Sequence, residues 1–102
     1  MYLVQVLLPL YDNQKHPFTQ IEFDRVRNEL TDAFGGITAY LRSPAVGAWK
    51  ESDDKISQDE IVVVEVMCRT LDRPWWANYR VELETRFRQV EVVVRATSVE
   101  RL

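Results

Sequence analysis

Two segments in the second half of the chain alternate so strictly that they dictate a sheet with one face covered. In Ile61–Cys68 the even positions Val62, Val64, Val66 and Cys68 are all apolar, and in Val90–Ala96 so are Val90, Val92, Val94 and Ala96. Side chains alternate across a strand, so a wholly apolar period-two face needs a cover, and the helical segments of this chain supply one. The odd positions are mixed: Ile61, Val63, Glu65 and Met67 on one strand, Glu91, Val93 and Arg95 on the other. That second face is too apolar for plain solvent and too charged for a plain core, and function is sought there.

The remaining elements follow from local signals. Residues 2–8 alternate with Tyr2, Val4, Val6 and Leu8 on one face, and Pro9 ends the strand. Thr19 followed three residues later by Glu22 is a capping-box signature, and Phe23, Val26, Leu30, Ala33 and Phe34 recur at helical spacing. Gly35-Gly36 supplies the left-handed stop. A second strand is expected over 37–42 and a polar loop over 43–60, with Ala48-Trp49-Lys50 as a short hairpin arm. Asp72 as N-cap and Pro74 in the first turn open a helix to about Gln89, with Trp76, Tyr79, Leu83 and Phe87 inward. Trp75 is expected half-exposed, as a contact between copies.

The order β-α-β-β-α-β in 102 residues describes a single domain, 1–102, of the α+β ferredoxin-like type. The expected form is a sandwich whose four-stranded antiparallel sheet, in order 4-1-3-2, carries two helices on one face. The segment Phe34-Gly35-Gly36-Ile37-Thr38, the later Gly47-Ala48-Trp49 and the acidic-then-aliphatic run Asp59–Val66 resemble small uncharacterised bacterial proteins of about this length. The resemblance implies a relative of the dimeric α/β-barrel proteins and carries no assigned activity.

Composition excludes several classes. A net charge of −3 without a basic block argues against nucleic acid, which needs a positive surface. One cysteine, Cys68, permits neither a disulfide framework nor a thiolate cluster, and a lone His16 is a poor start for a metal site. No cofactor and no metal are therefore expected. No apolar run reaches the roughly 20 residues of a membrane span, and Met1–Pro9 lacks the basic flank of a secretory leader, so a cytoplasmic location without membrane attachment is expected. The central strands have no aromatic residue on their open face to stack bases, the loop at 9–18 has no Cys-x-x-Cys and no arginine, and no phosphate-cradling glycine loop opens a helix.

The uncovered face collects Leu3, Gln5, Leu7, Tyr40, Arg42, Val63, Glu65, Met67 and Arg95. A homodimer through this face is the simplest cover. Within it Glu65 and Arg42, on neighbouring strands, are expected to pair, as are Glu91 and Arg95. Such pairs serve either as specificity devices in an interface or as a pocket in which a carboxylate and a guanidinium orient a small anionic ligand. Glu65 and His16 are the candidate acid/base groups; Arg42, Tyr40, Gln5 and Trp49 are the candidate ligand contacts. Lys15 and His16, ahead of the first helix, form a further candidate anion contact. A homodimeric, non-catalytic or regulatory domain binding a small ligand or protein is favoured. The alternative is a small cofactor-independent isomerase, lyase or monooxygenase acting on a small organic acid or aromatic.

Overall fold

A computed structural model describes residues 1–35, 38–40, 46–52 and 55–102, with side chains placed at 1–35 and 61–102. In chain order the elements are β1 (Tyr2–Pro9), α1 (Gln20–Phe34), β2 (Thr38–Tyr40), β3 (Val46–Ser52), β4 (Lys55–Cys68), α2 (Arg73–Arg86) and β5 (Val93–Ser98). The sheet is antiparallel, with path β2-β4-β1-β5 and β3 paired to β4 off that path.

The expectation of a four-stranded sheet is corrected: among the described residues the sheet has five strands. β4 begins at Lys55 and pairs with β3 from Val46 opposite Glu60 to Ser52 opposite Lys55. The stretch Lys55–Glu60 lacks an apolar face, so side-chain alternation gave no sign of it. The pairing is made through backbone hydrogen bonds, which any sequence without proline supplies. The last strand is also displaced. It runs from Val93 to Ser98, and Val90, expected on the apolar face, is 99% exposed.

The cause lies at the end of α2. Phe87 N–H donates to the Leu83 carbonyl, and Arg88 adopts a left-handed φ of 52°. Gln89 N–H then reaches the Glu84 carbonyl at 2.9 Å. The Glu84 carboxylate accepts from Val92 N–H at 3.0 Å, so ladder pairing starts only at Val93, opposite Leu7.

The core lies between the sheet and both helices. Val4, Val6 and Leu8 of β1 stand in register with Val66, Val64 and Val62 of β4, and all six are buried. α1 lays Phe23, Val26 and Leu30 on this face, and α2 lays Trp76, Tyr79 and Leu83, each at helical spacing. Thr19 N–H donates to the Glu22 carboxylate at 2.6 Å ahead of α1, and Gly35, with φ 78°, closes that helix through its N–H to the Thr31 carbonyl. Asp72 caps α2 by accepting from Trp75 N–H at 3.1 Å.

Trp75 is half-buried, its ring 5.0 Å from Phe34 and stacked 5.1 Å from Tyr79. It ties the end of α1 to α2 within this chain, and its half-exposed state is the one expected from the sequence. Glu29 of α1 accepts two hydrogen bonds from Arg86, at 2.7 and 3.1 Å, and one from the Tyr79 hydroxyl at 3.0 Å. Desolvation pushes the Glu29 carboxyl up, but the donors Arg86 and Tyr79 outweigh it and hold it below its ordinary value. Burial, then the Glu29 charge, pushes the Tyr79 phenol well above its ordinary range. This pairing fixes the two helices against each other at the partly buried rim, where charges are retained only when paired.

Candidate functional site

Because the helices take the even positions of β1 and β4, the odd positions form the opposite face. Register aligns Thr38, Glu65, Gln5 and Arg95 in one row across β2, β4, β1 and β5. The next row is Tyr40, Val63, Leu7 and Val93, and on the other side Met67 pairs Leu3, which pairs Thr97. A polar row thus crosses a mainly apolar face. Met67 is 50% exposed and Val93 43%.

Within the row the side chains are connected. Gln5 Nε2 donates to Glu65 Oε2 at 2.7 Å, and Arg95 Nε donates to Gln5 Oε1 at 2.8 Å. A guanidinium only donates and an ionised carboxylate only accepts, so the Gln5 amide has one orientation that serves both. Its dipole lies between a cation and an anion, which strengthens both bonds. Glu65 and Arg95 stand two strand spacings apart, about 10 Å. A carboxylate at one end and a guanidinium at the other, with apolar walls between, suit a ligand carrying separated positive and negative groups on a largely apolar body.

The structure joins some candidates and parts others. Gln5 and Glu65 come together. Arg42 lies outside the described residues, and Tyr40 and Trp49 are described only by backbone, in β2 opposite Val63 and in β3 opposite Ser57. The expected Glu91–Arg95 pair does not form: Glu91 precedes β5, and Arg95 turns to Gln5 instead. Arg95 had one legible signal, its odd phase with Val93, but its partner depended on strand register.

His16 is not part of the row. It sits exposed in the loop before α1, with its N–H donated to Asp12 Oδ1 at 2.8 Å and its Nδ1 3.6 Å from Asp12 Oδ2. Gln14 N–H also donates to Asp12, and Arg88 approaches to 3.6 Å. Asp12 takes the backbone N–H groups of Gln14 and His16, so an acidic side chain stands in the same loop as Lys15 and His16. The His16 N–H, opposed by partial desolvation and aided by Gln14 and the neighbouring cations, holds the Asp12 carboxyl below its ordinary value.

Cys68 is half-buried against the core, and desolvation pushes its thiol up, away from the thiolate a nucleophile needs. Among the described residues no three His, Cys, Asp or Glu side chains cluster as metal ligands, and no helix is long and apolar enough to cross a membrane.

Fold and face together define a small α+β protein with a charged row set in an apolar sheet surface. No protein-family model matches the chain, and no curated protein does. Two solved structures are similar. A phage SAM lyase in complex with S-methyl-5'-thioadenosine aligns with a TM-score of 0.63 at 13% identity, over 95% of this chain and 80% of that one. A phage SAM lyase in the apo state aligns with a TM-score of 0.58 at 13% identity, over 94% and 78%. At this identity the likeness is one of fold.

Proposed function

We propose that this protein is a small lyase that binds an adenosyl sulfonium, of the SAM class, on its open sheet face. The Glu65–Gln5–Arg95 row carries the reading: it places a fixed negative and a fixed positive group on an exposed apolar surface. SAM has matching parts, with a sulfonium and an ammonium as cations, a carboxylate as anion, and an apolar adenine-bearing body. The fold shared with the SAM lyase over most of the chain supports the same choice.

In this reading Arg95 holds the substrate carboxylate as a fork donor. The apolar neighbours Leu3, Leu7, Val63 and Val93 reduce water around the sulfonium, and its charge disappears as the carbon–sulfur bond breaks; a poorly solvating surface favours that loss of charge. Both bonding electrons pass to sulfur, leaving the neutral thioether S-methyl-5'-thioadenosine. The departing four-carbon fragment gives a proton from the adjacent carbon to Glu65 as its double bond forms, and Glu65 later returns that proton to water. Arg42, Tyr40 and Trp49 are proposed as further ligand contacts, and a second copy packed on the same face would enclose the ligand between two sheets. A cytoplasmic setting goes with such a substrate.

A second reading, a non-catalytic small-ligand domain, is favoured by one observation: Glu65 is already hydrogen-bonded to the amide of Gln5, a group that does not titrate. The two separate on one assay. Incubating the purified protein with SAM and following the thioether by liquid chromatography is expected to show enzyme-dependent release. Saturable binding of S-methyl-5'-thioadenosine with no release above the protein-free control would replace the lyase with the binding domain, and neither binding nor release would remove both.

A further inference from the structure

The polar row is directional, and its direction bears on what covers the open face. The Glu65 carboxylate stands on β4, the Gln5 amide on β1 and the Arg95 guanidinium on β5, so β1 is the midline between opposite charges. Gln5 engages Arg95 through Nε and Glu65 through Oε2. A guanidinium has further donors on its Nη groups and a carboxylate has a second oxygen, so each end can take another partner.

Two such faces packed together lie about 10 Å apart, with their strands within about 30° of each other. A two-fold axis running across the strands, along the row, sets Glu65 against Glu65 and Arg95 against Arg95. Both pairs repel. An axis running along β1 reverses the row instead, and Glu65 of each copy stands over Arg95 of the other. The same axis sorts the apolar positions by register. Leu3 and Leu7 meet their own counterparts, Val63 meets Val93 and Met67 meets Thr97. Met67 and Val93, the large apolar side chains this face leaves most exposed among the described residues, are then covered.

We infer that this protein forms a two-fold homodimer through its open face, with the axis along β1 and Glu65 of each copy facing Arg95 of the other. Charge complementarity of the row with its own reversed copy selects a second chain as the occupant and fixes its orientation. The inference goes beyond the lyase reading and does not rest on it, because the contact needs no ligand. A substrate held between the copies takes the place of these contacts, with its carboxylate on Arg95.

Light scattering behind size exclusion, without SAM, is expected to give twice the 12.0 kDa of one chain. Glu65→Arg makes both ends of the row positive and Arg95→Glu makes both negative. Each alone is expected to weaken self-association by about 10²-fold or more, since like charges then face each other. Mixed in equal amounts, the two variants are expected to pair with each other. The axis is read by crosslinking: Leu7→Cys, in a Cys68→Ala background, is expected to join to its own counterpart through a short bismaleimide. If Glu65→Arg fails to fold by circular dichroism, Arg95→Glu on the exposed strand β5 carries the test, with Arg95→Gln falling between it and wild type.

A wild type of single-chain mass, or of three or more copies, would overturn the inference. So would charge variants that associate as wild type does, a mixture that stays apart, or Leu7→Cys that does not crosslink. A monomer that still releases S-methyl-5'-thioadenosine from SAM would end the dimer and keep the lyase; a dimer without release would do the reverse.

Discussion

Glu65→Gln is expected to lower release of S-methyl-5'-thioadenosine from SAM by about 10²–10⁴-fold, the range a positioned general base contributes, and to leave the fold unchanged. The substitution is nearly isosteric, and the new amide oxygen still accepts from Gln5 Nε2, so the connection between β4 and β1 survives. What disappears is the negative charge and with it the capacity to take a proton. Thermal unfolding within a degree or two of wild type, alongside lost turnover, is the expected pair of results. Undiminished turnover would show that Glu65 takes no proton in the reaction, and a parallel loss of stability would assign the residue to the sheet.

Phe87→Ala is expected to be the most damaging single truncation in the core, costing about 3–5 kcal/mol. Phe87 is fully buried at the end of α2, its ring 4.9 Å from Phe18 in the loop before α1 and 5.8 Å from Phe23 of α1. One side chain therefore joins three segments, and removing it leaves a void none of them closes alone. Domains of this size have only about 5–15 kcal/mol to lose, so the variant should unfold at a far lower urea concentration. A midpoint shift worth less than about 1 kcal/mol would mean that the loop and both helices repack freely.

The parts of this molecule legible in the sequence are those where side chains decide the structure. Val4, Val6 and Leu8, with Val62, Val64 and Val66, mark the covered face by alternation alone. Thr19 with Glu22, Gly35, and Asp72 with Pro74 mark helix ends by capping chemistry. The parts that were not legible depend on the backbone or on distant register. Lys55–Glu60 has no wholly apolar face, Ile56 being its one apolar residue, so its pairing with Val46–Ser52 left no periodic trace.

Val90 carries an apolar side chain in the right phase, yet it falls outside the last strand because Gln89 and Val92 are tied back to Glu84. The site shows the same division. Gln5 and Glu65 share a face by alternation and could be proposed together. That Arg95 completes their row, in place of a pairing with Glu91, follows from its register opposite Gln5. His16 was a candidate because it is chemically versatile, but Asp12 holds it in a loop cluster of its own.

The most direct test of the open face as the site is a nitrogen-15 chemical-shift titration of the wild-type protein with S-methyl-5'-thioadenosine. The account predicts saturable shifts concentrated at Leu3–Leu7, Val63–Met67 and Val93–Thr97, the three central strands around the Glu65–Gln5–Arg95 row. Shifts confined to α1 and α2, or no saturable shift at all, would contradict it.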